Sequence, residues 1–191
     1  MDLVLLSGGL DSAVMAAKCR EASALGLMLF VDYGQPAILE ELRAASIIAT
    51  WLDRTLVNTH AMLPSVRGLS DGRYGVVGGR NLAFVAHGVA WAIARGCSRI
   101  LIGVTADDAE GYPDCRPEWV AATNAMCRAA YGVEVAAPLA ELSKPQVMAE
   151  AVRLQVPVGS TWTCYTPDSG RPCGACAACQ RRSALCLGGA R

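Results

Sequence analysis

A short apolar run, Leu3 to Leu6, ends abruptly in Ser7-Gly8-Gly9-Leu10-Asp11-Ser12. From Asp11 to Ala22 apolar residues then return at helical spacing through Val14, Met15, Ala17 and Cys19. Strand, glycine-rich turn and helix in direct succession constrain the fold more than any other feature. The pattern repeats along the chain. Leu27 to Val31 reads as a buried strand, Pro36 to Leu52 as a helix with its proline in the first turn, and Thr55 to Val57 as a third strand. Asn81 is expected to cap an apolar helix running to Ala94, and Arg99 to Val104 forms a fourth strand. A helix from Pro117 to Ala130, a strand at Val133 to Ala136 and a helix from Ser143 to Leu154 follow. This alternation predicts an α/β fold, a doubly wound parallel sheet covered by helices on both faces. Two segments fit no element: Thr59 to Gly79, rich in Gly, Pro, Ser and Asp, and the loop Thr105 to Arg116.

In sheets of this kind ligands bind beyond the carboxyl ends of the strands, where the first glycine loop lies. A loop that grips pyrophosphate must let backbone N–H groups approach the oxygens, and it gains from ending at a helix N-terminus. Ser7, Gly8, Gly9, Leu10, Asp11 and Ser12 meet both demands and are the expected ATP-binding residues. Ser7 and Ser12 add hydroxyl donors, and Asp11 is suited to hold Mg²⁺. The Gly-Lys-Ser/Thr ending of a γ-phosphate loop is missing, which favours cleavage between the α and β phosphates. A plain glycine turn before a helix is the alternative.

The 191 residues suit one domain, 1–191. Mean hydropathy is +0.31, yet no apolar run reaches the roughly 20 residues that span a bilayer. The start of the chain lacks the basic region and cleavage site of a secretory signal, so a cytoplasmic protein without membrane association is expected. Lys+Arg and Asp+Glu are both 17, which leaves no overall positive field for a nucleic acid.

Cys164, Cys173, Cys176 and Cys179 are separated by eight, two and two residues. Two-residue spacers let thiolates converge on one tetrahedral ion, and Gly174 with the small Ala175, Ala177 and Ala178 leaves room for tight turns. One structural Zn²⁺ per chain, fastening a C-terminal segment at 160–191, is the expectation, with a redox disulfide pair as the alternative. Cys19, Cys97, Cys127 and Cys186 read as small apolar residues, and Cys115 falls in the Thr105 to Arg116 loop.

The six-residue loop resembles the signature of the PP-loop ATP pyrophosphatases. Further stretches narrow the likeness: Phe30-Val31-Asp32-Tyr33-Gly34-Gln35, Gly79-Arg80-Asn81 with Phe84, Gly111-Tyr112-Pro113-Asp114-Cys115-Arg116-Pro117-Glu118-Trp119, Pro138-Leu139 with Ser143-Lys144, Thr161-Trp162-Thr163-Cys164-Tyr165 and Pro172-Cys173-Gly174-Ala175-Cys176. In this order they resemble the 7-cyano-7-deazaguanine synthase family over nearly the whole chain. The resemblance implies an ATP-dependent carbon–nitrogen ligase that converts 7-carboxy-7-deazaguanine and ammonia to the nitrile in queuosine biosynthesis. It also implies ATP as co-substrate, Mg²⁺, and the four cysteines as zinc ligands. Asp11, Ser12, Lys144 and Arg80 become the expected catalytic residues, and Asp108, Tyr112, Asp114 and Arg116 the substrate-binding ones. A homodimer is a further expectation, and no glutaminase domain fits, so free ammonia is the expected nitrogen source.

The chain departs from the family's pattern at Pro36-Ala37, where a basic pair is usual, and at Ala109-Glu110, where Tyr-Ser is usual. It is also shorter around Leu63 to Val77. A relative that stops at the amide, acts on another carboxylate or thiolates tRNA therefore stays open, as does a zinc-dependent binding module with a degenerate loop.

Overall fold

A computed structural model describes residues 1–63 and 77–188, with side chains as far as 185. The connection expected at 59–79, and the shortening within it, therefore lies outside the described residues from 64 to 76. Five strands, β1 (Asp2–Leu5), β2 (Leu25–Asp32), β3 (Leu56–His60), β4 (Arg99–Leu101) and β5 (Glu134–Ala136), form one parallel sheet in the order β3-β2-β1-β4-β5. The chain builds outward from β1 to β3, then returns to β4 on the other side of β1. Order therefore reverses between β1 and β4, which opens a crevice at their carboxyl ends.

Alternate residues of the strands feed two cores. Val4, Met28, Phe30 and Leu101 pack with α1 (Leu10–Glu21), α2 (Ile38–Trp51) and α6 (Lys144–Arg153) on one face. Leu3, Leu29, Val31, Ile100 and Val135 pack with α3 (Arg80–Arg95) and α5 (Pro117–Tyr131) on the other. The doubly wound arrangement expected from the alternation is the observed one. Small residues explain how α1 sits so deep, for Ala13, Ala16 and Ala17 let it lie directly on the sheet and against α6.

Several local expectations are corrected. Asn81 does not cap α3: Gly79 holds the cap position with a φ of 74°, while the Asn81 amide donates to Asp114 O at 3.1 Å. Pro36 stands in the turn before α2 rather than inside it, because Ile38 N donates to Gln35 O at 3.1 Å and opens the helix there. The strand expected to reach Val104 ends at Leu101. The segment from Thr105 to Arg116 is not an open loop but contains α4 (Ala106–Gly111) and a 3-10 turn, Pro113–Cys115. Thr105 and Asp108 close a capping box that starts α4, and Ser143 with Gln146 does the same for α6. A further helix, α7 (Ala177–Gly188), follows the cysteines and carries Cys179 in its first turn.

Candidate active site

The loop between β1 and α1 is shaped by its own hydroxyls. Ser12 Oγ receives the Ser7 N–H at 3.2 Å and donates to Gly9 O at 3.0 Å, while Ser7 Oγ receives the Gly9 N–H at 3.3 Å. Gly8 takes a φ of +82°, and a Cβ there would stand 2.5 Å from Glu41 O and 2.8 Å from Ala45 N on α2. Only glycine fits that seat. Gly103, just past β4, brings its backbone so close that a Cβ would lie 3.2 Å from Ser12 N. No side chain caps α1 among the described residues, so its leading N–H groups face the crevice, where the helix dipole favours an anion.

Three charges meet at this helix start. Lys144 Nζ, from the first turn of α6, lies 2.8 Å from Asp11 Oδ2 and 2.9 Å from Asp108 Oδ2. The capping box fixes Asp108, whose Oδ2 also receives Thr105 N at 3.1 Å and Thr105 Oγ1 at 2.7 Å. Asp107 Oδ2 receives the Lys144 N–H and so anchors α6 to α4. Burial pulls the Lys144 pKa down, but Asp11 and Asp108 outweigh it and hold the ammonium above its ordinary value. Burial raises the Asp11 carboxyl, against the opposing pull of Lys144. Asp11 Oδ1 is buried with no hydrogen-bond partner among the described residues. An orphaned carboxylate oxygen beside a second carboxylate suits a hard divalent cation, which binds through oxygens and keeps several of its waters.

A cavity of ≈ 290 Å³ extends from the loop. Ser7, Gly9, Leu10, Asp11 and Ser12 line it, with Gly8 seated behind them on α2. Lys144, Arg80, Asp108 and Tyr112 line it too. Arg80 lies 5.7 Å from the Tyr33 and Phe84 ring centres and donates to Tyr33 Oη at 3.1 Å, so a cation backs an aromatic wall. Asp114 and Arg116 do not line the cavity. The Asp114 carbonyl is held by Asn81, and the exposed Arg116 donates to Ala109 O at 3.4 Å. Cys115 does line it, but burial, Asp114 and Asp108 push its thiol up to about 12, which leaves a neutral thiol rather than a nucleophile.

Sequence reasoning missed Glu41, Tyr165, Arg181 and Arg182, which also line the cavity. Arginines after a cysteine cluster read as solvated, and nothing in their spacing brings α7 to the mouth of β1. The exposed His60 lies 3.4 Å from Asp32, and His87 pairs with Thr59 at 3.2 Å, so neither histidine enters this cavity.

Sγ atoms of Cys164, Cys173, Cys176 and Cys179 all lie within 4.8 Å of one another and could hold a metal ion. A tetrahedral ion bound at about 2.3 Å separates its sulfurs by roughly 3.8 Å, so the donor set fits one ion. Backbone N–H groups point at the thiols: Cys173 N to Cys164 Sγ at 3.3 Å, Cys176 N to Cys173 Sγ at 3.3 Å and Cys179 N to Cys176 Sγ at 3.4 Å. The Cys176 N–H and the Thr166 hydroxyl bring the Cys173 thiol down to about 6, into the thiolate range at neutral pH. The eight cysteines whose side chains are described are free, which leaves the disulfide alternative without support among them.

Residues 47–186 match the family described as queuosine biosynthesis protein QueC. The chain belongs to that family. Among QueC relatives, the 7-cyano-7-deazaguanine synthase of Synechococcus sp. (strain CC9902) is 39% identical over 96% of this chain and 91% of its own length. The synthase of Novosphingobium aromaticivorans is likewise 39% identical, over 95% of this chain and 88% of its own. Two solved structures share the fold at low identity. The U34-tRNA thiolase NcsA from Methanococcus maripaludis with its [4Fe-4S] cluster has a TM-score of 0.62 at 16% identity and covers 96% of this chain, which spans 63% of that one. NMN synthetase from Francisella tularensis gives 0.56 at 17% identity, over 91% of this chain and 70% of its own. Among the described residues no helix is long and apolar enough to cross a membrane.

Proposed function

We propose that this QueC-family chain converts 7-carboxy-7-deazaguanine and ammonia to 7-cyano-7-deazaguanine at the expense of ATP, as an ATP-dependent carbon–nitrogen ligase. The observation that carries the reading is the meeting of Asp11, from residues 7–12, with Asp108 and Lys144 on the lining of the cavity that Arg80 and aromatic side chains also wall. The ATP phosphates lie against the α1 start, where backbone N–H groups and the Ser7 and Ser12 hydroxyls bind them. Asp11 and Asp108 would hold Mg²⁺, which would supply charge neutralisation for the departing pyrophosphate. Lys144 sets the two carboxylates and adds a positive charge near the reacting phosphorus.

The substrate carboxylate attacks the α-phosphorus, the α–β bridge breaks and pyrophosphate leaves. Ammonia then adds to the acyl carbon, AMP departs and the amide forms after loss of a proton. The amide oxygen is adenylated in the same way by a second ATP, and loss of AMP and a proton gives the nitrile. Tyr112 and Asp108 contact the deazaguanine, whose ring stacks on an aromatic wall and whose N–H groups meet a carboxylate. Asp114 and Arg116, which lie outside the cavity, support this wall through the Pro113–Cys115 turn. The four cysteines hold one Zn²⁺ as a structural site, since a cluster of several irons would keep four sulfurs further apart than one ion does.

Heavy-oxygen label in the substrate carboxylate tests the first step. One labelled oxygen is expected in AMP; label in inorganic phosphate and formation of ADP would instead mean attack at the terminal phosphate.

A further inference from the structure

The strand-like segment between the second 3-10 turn (Val158–Ser160) and Cys164 runs across the ATP loop. Trp162 N donates to Gly8 O at 2.9 Å, and a Cβ on Gly9 would meet Trp162 O at 3.6 Å, just beyond Ser7 Oγ at 3.4 Å. The indole Nε1 folds back onto Cys164 O at 2.8 Å. On its other side Gly8 packs so close to α2 that a Cβ there would stand 2.5 Å from Glu41 O and 2.8 Å from Ala45 N. The loop is thus held between α2 and this segment.

One side chain fixes the segment. Arg182 Nη1 donates to Thr161 O at 2.9 Å, to Thr161 Oγ1 at 3.0 Å and to Thr163 Oγ1 at 2.9 Å, while Nη2 donates to Val158 O at 2.8 Å. These acceptors flank Trp162 on both sides. A planar guanidinium can reach all of them, with one Nη1 hydrogen shared between two acceptors, which a single ammonium cannot. Arg182 sits one turn beyond Cys179 on α7, so the helix that carries a metal-site thiol also carries the group that pins the segment over the loop.

We propose that Arg182 is a positioning residue for ATP, holding residues 161–163 so that Trp162 keeps Gly8 in the anion-binding shape of the loop. This rests on the reading of residues 7–12 as the ATP loop. Arg182 is cationic and lines the cavity, but its work is done through Trp162 and Gly8. Without it the backbone N–H groups of the loop are no longer preorganised, and binding must supply the ordering.

The test uses the metal-loaded full chain, with Arg182→Ala, Arg182→Lys and Thr163→Val, the last removing one acceptor at nearly constant shape. Metal content, hydrogen exchange of peptides covering 7–12 and 161–164, and Kd for Mg-ATP are measured for each. In Arg182→Ala one metal per chain is expected to remain, exchange to quicken in both peptides, and the ATP Kd to rise about tenfold, equivalent to about 1.4 kcal/mol. Arg182→Lys should recover only part of the affinity, and Thr163→Val should lie between parent and Arg182→Ala. The Kd for 7-carboxy-7-deazaguanine should change less than twofold, which separates positioning of one ligand from loosening of the whole fold. Parent-like exchange and ATP affinity in Arg182→Ala, or in Thr163→Val should the alanine variant not fold, would overturn the proposal. A parent chain that fails to bind Mg-ATP would remove the ATP-loop reading itself, and the assignment of Arg182 with it.

Discussion

Lys144 Nζ lies 2.8 Å from Asp11 Oδ2, joining the start of α6 to the start of α1 across 133 positions of sequence. With Asp108 on its other side, the ammonium bridges two carboxylates that the fold forces together at the α1 start and offsets one of their two charges. Removing it leaves both without their cation. Lys144→Met is expected to destabilise the chain by about 2 kcal/mol, less than a fully buried pair would lose because these side chains keep some solvent contact. It should also move the acid limb of the activity profile to higher pH, since Lys144 opposes the burial that raises Asp11. Denaturant melts and a pH–rate profile check both; an unshifted acid limb would remove Lys144 from the electrostatics of Asp11.

Asp11 is the harder test of the phosphate site. Asp11→Asn keeps the shape but removes the charge from the orphaned Oδ1. Loss of transition-state electrostatics of this kind typically costs about 2.7–4 kcal/mol, so kcat should fall by roughly two to three orders of magnitude with little change in melting. Activity within threefold of the parent would exclude the assigned role.

For the cysteine site, Cys176→Ser should abolish stoichiometric metal, because a hydroxyl does not replace a thiolate among four sulfurs. Elemental analysis of freshly purified parent should find one zinc per chain, and an equivalent chelator-induced loss should accompany unfolding of the 160–191 segment. Iron in place of zinc, or no metal at all, would contradict the single-ion site.

Glu41 supplies a pH signature. Burial drives its carboxyl up to about 7, against the hydrogen bond that Gln35 Nε2 donates at 3.0 Å. A carboxyl whose folded pKa exceeds its unfolded value favours the folded state most while protonated. Stability is therefore lost as pH rises from the unfolded value of 4.5 toward about 7, and is level beyond. Glu41→Gln abolishes that loss and can still accept from Gln35. Measured by denaturation, the advantage of the glutamine variant should grow by up to about 3 kcal/mol between pH 5 and pH 8. A constant difference would mean that the Glu41 carboxyl is as well solvated folded as unfolded.

Much of this was legible in the sequence for a physical reason. Residues 7–9 turn directly into α1 at Leu10, and Cys173, Cys176 and Cys179 converge through short spacers, so local order brings each group of residues together. The alternation of apolar runs likewise carried the doubly wound sheet. What escaped was tertiary. Asn81 looked like a helix cap because its neighbours are apolar, yet Gly79 takes that place and frees the amide for the Pro113–Cys115 turn. Asp114 and Arg116 read as cavity residues from their neighbourhood with Tyr112, but the 3-10 turn carries them off the lining. Arg182 and Glu41 gain their positions only when α7 and α2 close on the β1 loop.

The most direct measurement is the mass of the product made from 7-carboxy-7-deazaguanine, ATP and heavy-nitrogen ammonia by the metal-loaded chain. The account predicts the nitrile, carrying one heavy nitrogen, with two AMP and two pyrophosphate formed per molecule. Accumulation of the amide with a single AMP would contradict the second adenylation, and an unchanged carboxylate under conditions where Mg-ATP binds would contradict the assigned substrate.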